Sequence, residues 1–216
     1  MGILIAIITA AGAYLLGAID TGIIVSRLVY HDDVRNHGSG AAGMTNMLRT
    51  FGKKAAAMTA CGDVFKGFVA VRLAMWLFGV CGLPALWGGY LAAVLAVIGH
   101  WKPVYFGFKG GKGVLVAGGG ILALNPVLIL LLAAIFFLCF LPTRMVSLGS
   151  VTMAVSYPVL TGLYNALVRH LGAADLAVSI AGAAVVGGLV VYMHRANIQR
   201  IRAGTEYRFD GSHKKQ

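Results

Sequence analysis

The chain alternates long apolar runs with short polar segments, and the runs have the length of membrane-spanning helices. A helix needs about 20 apolar residues to cross the hydrocarbon core of a bilayer. Runs of this kind predict spans at residues 3–29, 55–82, 83–101, 145–168 and 173–194. The remaining run, 113–142, contains Asn125-Pro126. Because proline ends or kinks a helix, this run forms either one long span or two shorter ones at 113–124 and 126–142.

The basic residues favour the second alternative, because Lys and Arg collect in the cytoplasmic loops of membrane proteins. The segments after the first and third spans are basic, whereas the turn from Gly79 to Pro84 is uncharged. A single span over 113–142 would put the basic tail, 195–216, outside the cell. We therefore predict an all-α integral membrane protein with a single membrane domain, 1–216. It is a bundle of seven transmembrane helices with a short pair around Pro126, an external N-terminus and a cytoplasmic C-terminal tail.

The composition agrees with this class of protein. Hydrophobic residues make up 59% of the chain, charged residues 12%, and the mean hydropathy is +0.83. The net charge of +11 comes from basic residues beside apolar runs, so we expect contact with lipid and an anionic substrate, and no nucleic acid. The three cysteines are far apart and form no Cys-x-x-Cys pair or cysteine–histidine spacing that suggests a metal site, so we expect no metal. The first run lacks a basic start, and we expect it to be a retained span.

A glycine loop, defined as Lys109 to Gly113, lies between the third span and the short span. Glycines let backbone N–H groups turn toward an anion, and lysines add charge, so the loop predicts a phosphate cradle. The helix that starts at Gly113 would direct its N-terminus at the anion. The spacing does not fit the ATP-binding Walker pattern. The alternative is a turn between helices whose lysines contact lipid headgroups.

Two further polar clusters fall on the same predicted face, before the second span and after the last one. Their guanidinium, hydroxyl and amide groups suit a phosphate-bearing molecule. Taken alone, Ser39 is more typical of a hydrogen-bond partner than of a nucleophile, and His194 suits a general base, a hydroxyl partner or an interfacial histidine. Inside the second span, Asp63 and Lys66 either belong to the wall of a site or form an ion pair at i, i+3 spacing.

Together these segments resemble the motifs of the bacterial membrane glycerol-3-phosphate acyltransferases that use acyl phosphate as donor. The matching segments are Gly38-Ser39-Gly40 through Thr45-Asn46 to Arg49, Gly99-His100 through Gly113, and His194-x-x-Asn197-Ile198-x-Arg200 with Glu206. The segments Asp63 to Gly67 and Ser147 to Ser150 are also similar to the family.

The resemblance implies a seven-helix bundle in the bacterial cytoplasmic membrane with its active site facing the cytoplasm. It implies transfer of an acyl group from acyl phosphate to the sn-1 hydroxyl of glycerol 3-phosphate, giving lysophosphatidate and inorganic phosphate, the first step of phospholipid synthesis. No cofactor is implied, and the enzyme that makes acyl phosphate is an expected functional partner.

On this basis we predict two groups of site residues. The catalytic group is Ser39, Arg49, His194 and Asn197. The substrate-binding and phosphate-binding group is Thr45, Asn46, Lys109, Gly110, Gly111, Lys112, Gly113, Ser147 and Glu206. The alternative function is a small membrane transporter of an organic phosphate, with the interrupted span and the glycine loop lining its path.

Overall fold

The computed structural model describes residues 1–209, which form ten α-helices and two short 3-10 helices and contain no strand. Residues 210–216, the end of the predicted tail, lie outside the described part. The helices are α1 (Gly2–Ala18), α2 (Thr21–Val29), α3 (Met44–Phe51), α4 (Lys53–Val80), α5 (Ala85–Trp101), α6 (Val114–Leu124), α7 (Pro126–Thr143), α8 (Val146–Leu167), α9 (Ala173–Met193) and α10 (Arg195–Arg202). The 3-10 helices are Val34–Asn36 and Val104–Phe106.

The predicted interruption at Asn125-Pro126 is confirmed. The Asn125 side-chain oxygen accepts hydrogen bonds from the backbone N–H groups of Val127 (3.0 Å) and Leu128 (3.3 Å), which caps α7. Pro126 occupies the first position of this helix, where its missing N–H leaves no hydrogen bond unmade. The preceding helix, α6, is therefore only 11 residues long.

A second interruption lies inside the first apolar run, where the hydropathy pattern predicts a continuous helix. Helix α1 ends at Ala18 and α2 begins at Thr21. Asp20 is fully buried between them, and its Oδ1 accepts a hydrogen bond from the N–H of Ile23 (3.3 Å). A carboxylate that can cap a following helix competes with continuous helical hydrogen bonding, so the run 3–29 divides at this point.

Glycines bring neighbouring helices into backbone contact. In α1 and α5, Gly17 and Gly99 each face a backbone carbonyl of the other helix, at a place that a Cβ atom would occupy. Gly67 of α4 and Gly119 of α6 form the same reciprocal arrangement. Such close approach is a main source of helix association in membranes, where apolar surface alone gives little driving force. These contacts fix the short helix α6 between its longer neighbours.

The helix ends form two groups, called here the far end and the site end. At the far end, Trp87 Nε1 at the start of α5 donates to Asp175 Oδ1 at the start of α9 (2.8 Å). The site end contains the segment between α2 and α3, the glycine loop, the α7–α8 connection and the chain after α9. Backbone hydrogen bonds join these segments, from Ala42 to Gly110 (3.4 Å) and from Phe209 to Arg144 (2.7 Å).

Four segments are long and apolar enough to cross a membrane: residues 2–29, α7, α8 and α9. Helices α5 and α6 are shorter, with 17 and 11 residues, and α4 contains Asp63, Lys66 and Arg72. Large apolar side chains of α7, such as Leu130 and Leu138, are about 70% exposed, as expected for a surface that faces lipid. The protein is an all-α, multi-pass membrane protein, while the count of seven spans stays a prediction.

Candidate active site

A cavity of about 710 Å³ opens at the site end of the bundle. It is lined by the segment before α3, by α3, by the end of the glycine loop, by the start of α8 and by the chain from His194 to Tyr207. Segments that are far apart in the sequence thus meet around one space. The predicted site residues that line the cavity are Ser39, Thr45, Arg49, Lys112, Gly113, Ser147, His194, Asn197 and Glu206.

Glu206 holds several of these residues together. Its carboxylate accepts hydrogen bonds from Ser147 Oγ (2.7 Å), Asn197 Nδ2 (2.7 Å) and Arg200 Nε (2.8 Å), and the residue is buried. Burial alone would raise the pKa of Glu206, but the three hydrogen bonds outweigh it and lower the pKa, so the carboxylate stays charged. Through these hydrogen bonds Glu206 connects α8 and α10. Its predicted contact with the substrate stays a prediction.

Lys112 is linked to Glu206 through Asn197. Its Nζ donates to Asn197 Oδ1, while the amide nitrogen of Asn197 donates to Glu206. Burial lowers the pKa of Lys112 to about 8, a shift that Glu206 opposes and the guanidinium groups of Arg200 and Arg49 favour. A partly buried ammonium held beside a second cation is well suited to receive a phosphate.

Arg49 supplies that second cation from helix α3. Its guanidinium carbon lies 3.7 Å from the ring centroid of Tyr207, a stacked cation–π arrangement. Both residues line the cavity. Tyr207 was not predicted as a site residue, since it follows the last recognisable motif and nothing in its sequence neighbourhood gives its partner.

His194, at the junction of α9 and α10, has a defined tautomer. Its Nδ1 lies 2.8 Å from the backbone carbonyl of Val190, which can only accept, so Nδ1 carries the proton. The lone pair of Nε2 is therefore available in a residue that is buried and lines the cavity. This tautomer can accept a proton or a hydrogen bond from a substrate hydroxyl.

Asn46 lies outside the cavity wall, and its predicted contact with the substrate stays a prediction. Its amide nitrogen donates to the backbone carbonyls of Val34, His37 and Ala41 at 2.9–3.0 Å. Its oxygen accepts from the N–H of Ser39 (3.1 Å). All the hydrogen bonds of this buried amide go to backbone groups, so Asn46 shapes the loop that brings Ser39 to the cavity.

Three residues of the glycine loop are also absent from the cavity wall. Lys109 is exposed, and its carbonyl accepts a hydrogen bond from Arg35 Nη1 (3.1 Å). Gly110 and Gly111 pack against His100, so that a Cβ on either would collide with its backbone carbonyl or its ring. Their small size therefore serves close packing on α5, and only the end of the loop reaches the cavity. The contacts of Arg35 and His100 with this loop were not predicted.

The charged pair in α4 forms the expected ion pair, and one of its two residues, Asp63, lines the cavity. Lys66 Nζ lies 2.8 Å from Asp63 Oδ1, so the two form the expected ion pair. Asp63 also belongs to the cavity wall, as a member of a site would. The pair thus lies directly beneath the site.

The fold and cavity define a membrane-embedded helical protein whose polar site suits a small phosphate-bearing molecule beside lipid. The family model described as glycerol-3-phosphate acyltransferase matches residues 7–204, and the chain belongs to this family. The protein is therefore an integral membrane acyltransferase, and the family relates it to phospholipid synthesis.

Relatives and solved structures agree along nearly the whole chain. The glycerol-3-phosphate acyltransferase of Clostridioides difficile is 42% identical over 200 residues, which cover 93% of each chain. That of Syntrophotalea carbinolica is 41% identical over 197 residues, covering 91% of this chain and 94% of the relative. The crystal structure of PlsY (YgiH), an integral membrane glycerol 3-phosphate acyltransferase, in its glycerol 3-phosphate form matches with a TM-score of 0.82 and 36% identity. It covers 94% of this chain and 95% of that one. These matches favour the enzyme over the transporter.

Proposed function

We propose that the enzyme transfers an acyl group from acyl phosphate to the sn-1 hydroxyl of glycerol 3-phosphate, giving lysophosphatidate and inorganic phosphate. The observation that carries this proposal is one cavity whose wall contains two cations, Arg49 and Lys112, and a histidine, His194, with a free Nε2. The crystal structures of PlsY in glycerol 3-phosphate and lysophosphatidic acid forms support the same substrate and product class for this chain.

In this proposal, the polar half of the cavity holds glycerol 3-phosphate. Arg49, Lys112 and the first N–H groups of α6 after Gly113 contact its phosphate, because cations and a helix N-terminus both favour an anion. Ser39 and His194 orient the hydroxyl. Four apolar residues also line the cavity and suit a fatty acyl group: Leu115, Phe136, Val146 and Met193.

The chemical step needs no covalent enzyme intermediate, because acyl phosphate is already activated. The hydroxyl oxygen attacks the acyl carbonyl carbon, the bond from this carbon to the phosphate oxygen breaks, and phosphate leaves with the electron pair. The hydroxyl proton passes to His194 Nε2 or to a substrate phosphate. Positioning and charge stabilisation then supply most of the rate acceleration.

We also propose that seven spans cross the membrane and that the site end faces the cytoplasm. The segments at the site end carry Arg35, Lys109, Lys112, Arg144 and the arginines after α9, whereas Arg169 is the basic residue of the turn between α8 and α9. Basic loops remain on the cytoplasmic side. This orientation gives the site access to the cytoplasmic enzyme that makes acyl phosphate, with which we expect functional coupling.

The direct test uses purified protein in detergent with acyl phosphate, with and without glycerol 3-phosphate. We expect release of inorganic phosphate that depends on glycerol 3-phosphate and yields lysophosphatidate in equal amount. Folded protein that releases none, yet moves glycerol phosphate into sealed vesicles, would replace this proposal with the transporter.

The role of His194 is tested with His194→Ala. If Nε2 is the essential base, turnover falls by about a hundredfold or more while the KM for glycerol 3-phosphate changes little. A mainly raised KM would instead make His194 a binding residue and leave the proton to a substrate phosphate. The thermal unfolding midpoint of the purified variant is the control for folding.

A further inference from the structure

Four ionisable side chains lie together beneath the glycine loop, and the mechanism above does not use them. Asp20 is 0% exposed, Asp63 2%, His100 2% and Lys66 6%. They come from the α1–α2 break, from α4 and from α5. Burying charged groups inside a membrane protein is costly, and such groups usually have a functional reason to be there. His100 is the member that reaches both the glycine loop and the cavity.

Lys66 determines the protonation of the His100 ring. Its Nζ lies 2.8 Å from the backbone carbonyl of Ile19, 2.8 Å from Asp63 Oδ1 and 3.0 Å from His100 Nδ1. An ammonium group only donates, so Nδ1 must present its lone pair and the ring proton must be on Nε2. The carboxylate oxygens lie farther from Nδ1, at 3.5 Å for Asp20 Oδ2 and 3.9 Å for Asp63 Oδ1, and do not change this assignment.

The protonated Nε2 lies beside Gly111, at the place that a side chain of this residue would occupy. The backbone N–H of Gly111 donates to the carbonyl of His100 (3.1 Å). This hydrogen bond fixes the position of the glycine loop relative to His100. Within residues 1–209, Nε2 has no hydrogen-bond partner, although His100 belongs to the cavity wall next to Lys112 and Gly113. An N–H donor at a cavity wall, with no protein acceptor among the described residues, is free to pair with a group bound in the cavity.

We propose that His100 is a further substrate-binding residue: its neutral ring donates a hydrogen bond from Nε2 to a phosphate oxygen of the bound substrate. This inference rests on the proposed function, in which both substrates carry a phosphate. Lys66 is a positioning residue that acts through His100, because its ammonium turns the donor nitrogen of the ring toward the cavity. Asp63 holds Lys66 in place through the ion pair of 2.8 Å.

Substitution of His100 by Gln or by Asn tests the Nε2 donor separately from the contact between Nδ1 and Lys66. The His100→Gln side chain can place an amide N–H near the position of Nε2, whereas His100→Asn reaches only the position of Nδ1. The Asn variant therefore keeps a partner for Lys66 but loses the donor. We expect His100→Asn to raise the KM for the bound substrate by about tenfold to a hundredfold, the effect of removing a hydrogen bond to a charged group, and His100→Gln to stay within a few-fold of the wild type.

The measurements are the KM values for glycerol 3-phosphate and for acyl phosphate, the kcat, and the rise in thermal midpoint that glycerol 3-phosphate produces in each protein. A raised KM for one substrate, with kcat nearly unchanged and rescue by Gln, supports the proposal and identifies the phosphate concerned. Wild-type KM values for His100→Asn would overturn it. Equal impairment of both variants, together with lowered thermal midpoints, would also overturn the proposal. That result would mean that the His100 ring supports the fold and does not bind substrate.

A substitution in the glycine loop tests the same contact of the His100 ring. Gly111→Ala adds a methyl group at the position of Nε2, so we expect it to displace the ring and to raise the KM of the same substrate as His100→Asn. Its combination with His100→Asn should then add little further effect, because both changes remove one contact. Independent, multiplicative effects would contradict the proposal. Loss of all activity in the wild type would instead count against the proposed function.

Discussion

Lys112 is a cation whose charge depends on pH in the working range of the enzyme. Burial lowers its pKa to about 8, so the ammonium form predominates below this pH and is lost above it. If Lys112 binds the phosphate of glycerol 3-phosphate, kcat/KM should fall as the pH rises above about 8, because this ratio reports the ionisation of the free enzyme. The profile of kcat/KM between pH 6 and about 10 checks this expectation.

Lys112→Arg is the matched control, since a guanidinium stays charged over the whole range. We expect this variant to have a lower kcat/KM at neutral pH, because it changes the hydrogen-bond geometry at Asn197, but to lose the decline above pH 8. A decline of the same shape in both proteins would assign the ionisation to another group.

The types of the site residues were predictable from sequence, but their partners were not. His194 and Lys112 could be recognised because basic and imidazole groups stand beside glycine-rich loops on one predicted face. Asn46 was assigned to the substrate although its amide is saturated by backbone groups, and these are brought to it only by the folded loop. Likewise, Gly111 is small because His100 packs on it, a contact that sequence spacing does not show.

The helix boundaries also differ in how far the sequence predicts them. The break at Asn125-Pro126 was predictable, because both residues favour a new helix start wherever they occur. The break at Asp20 was not predictable. A lone aspartate in an apolar run is equally compatible with a continuous helix that contains one buried charge. It becomes understandable from the surrounding elements, where Lys66 and His100 lie close enough to make its burial tolerable.

Helix α6 offers a test of how glycine contacts support the site. A Cβ on Gly119 would meet the backbone of Val64 on α4, whereas a Cβ on Gly118 would meet only Ile129 Cδ1, at 3.8 Å. We expect Gly119→Ala to destabilise the protein by about 1–3 kcal/mol, the usual effect of overpacking. It should also lower kcat/KM, because α6 carries the cavity wall at its first turn.

Gly118→Ala is the adjacent control and should leave both quantities near their wild-type values. The measurements are the thermal midpoint in detergent at a fixed heating rate and the kcat/KM for glycerol 3-phosphate. Equal effects of the two substitutions would mean that helix propensity or lipid contact, and not the approach to α4, determines the position of α6.

At the scale of the whole molecule, the proposed membrane orientation rests on where the basic residues lie along the chain. Hydropathy predicts the spans, and the basic loops predict the side of the membrane on which each connection lies. The meeting of distant segments around one cavity needed the structure, because it depends on contacts such as those of Glu206 with Ser147 and Asn197. The orientation itself can be measured.

The measurement uses single cysteines at the two ends, in a variant whose native Cys61, Cys81 and Cys139 are replaced by serine. Exposed positions suit the label: His170→Cys at the far end and Arg202→Cys at the site end. In intact spheroplasts, a membrane-impermeant maleimide should modify the cysteine at 170 and should reach the one at 202 only after permeabilisation. Because the cavity opens at the end that carries position 202, this result would place the acylation site on the cytoplasmic side. The opposite labelling pattern would mean that both substrates must be supplied from outside, which contradicts the proposed coupling to a cytoplasmic source of acyl phosphate.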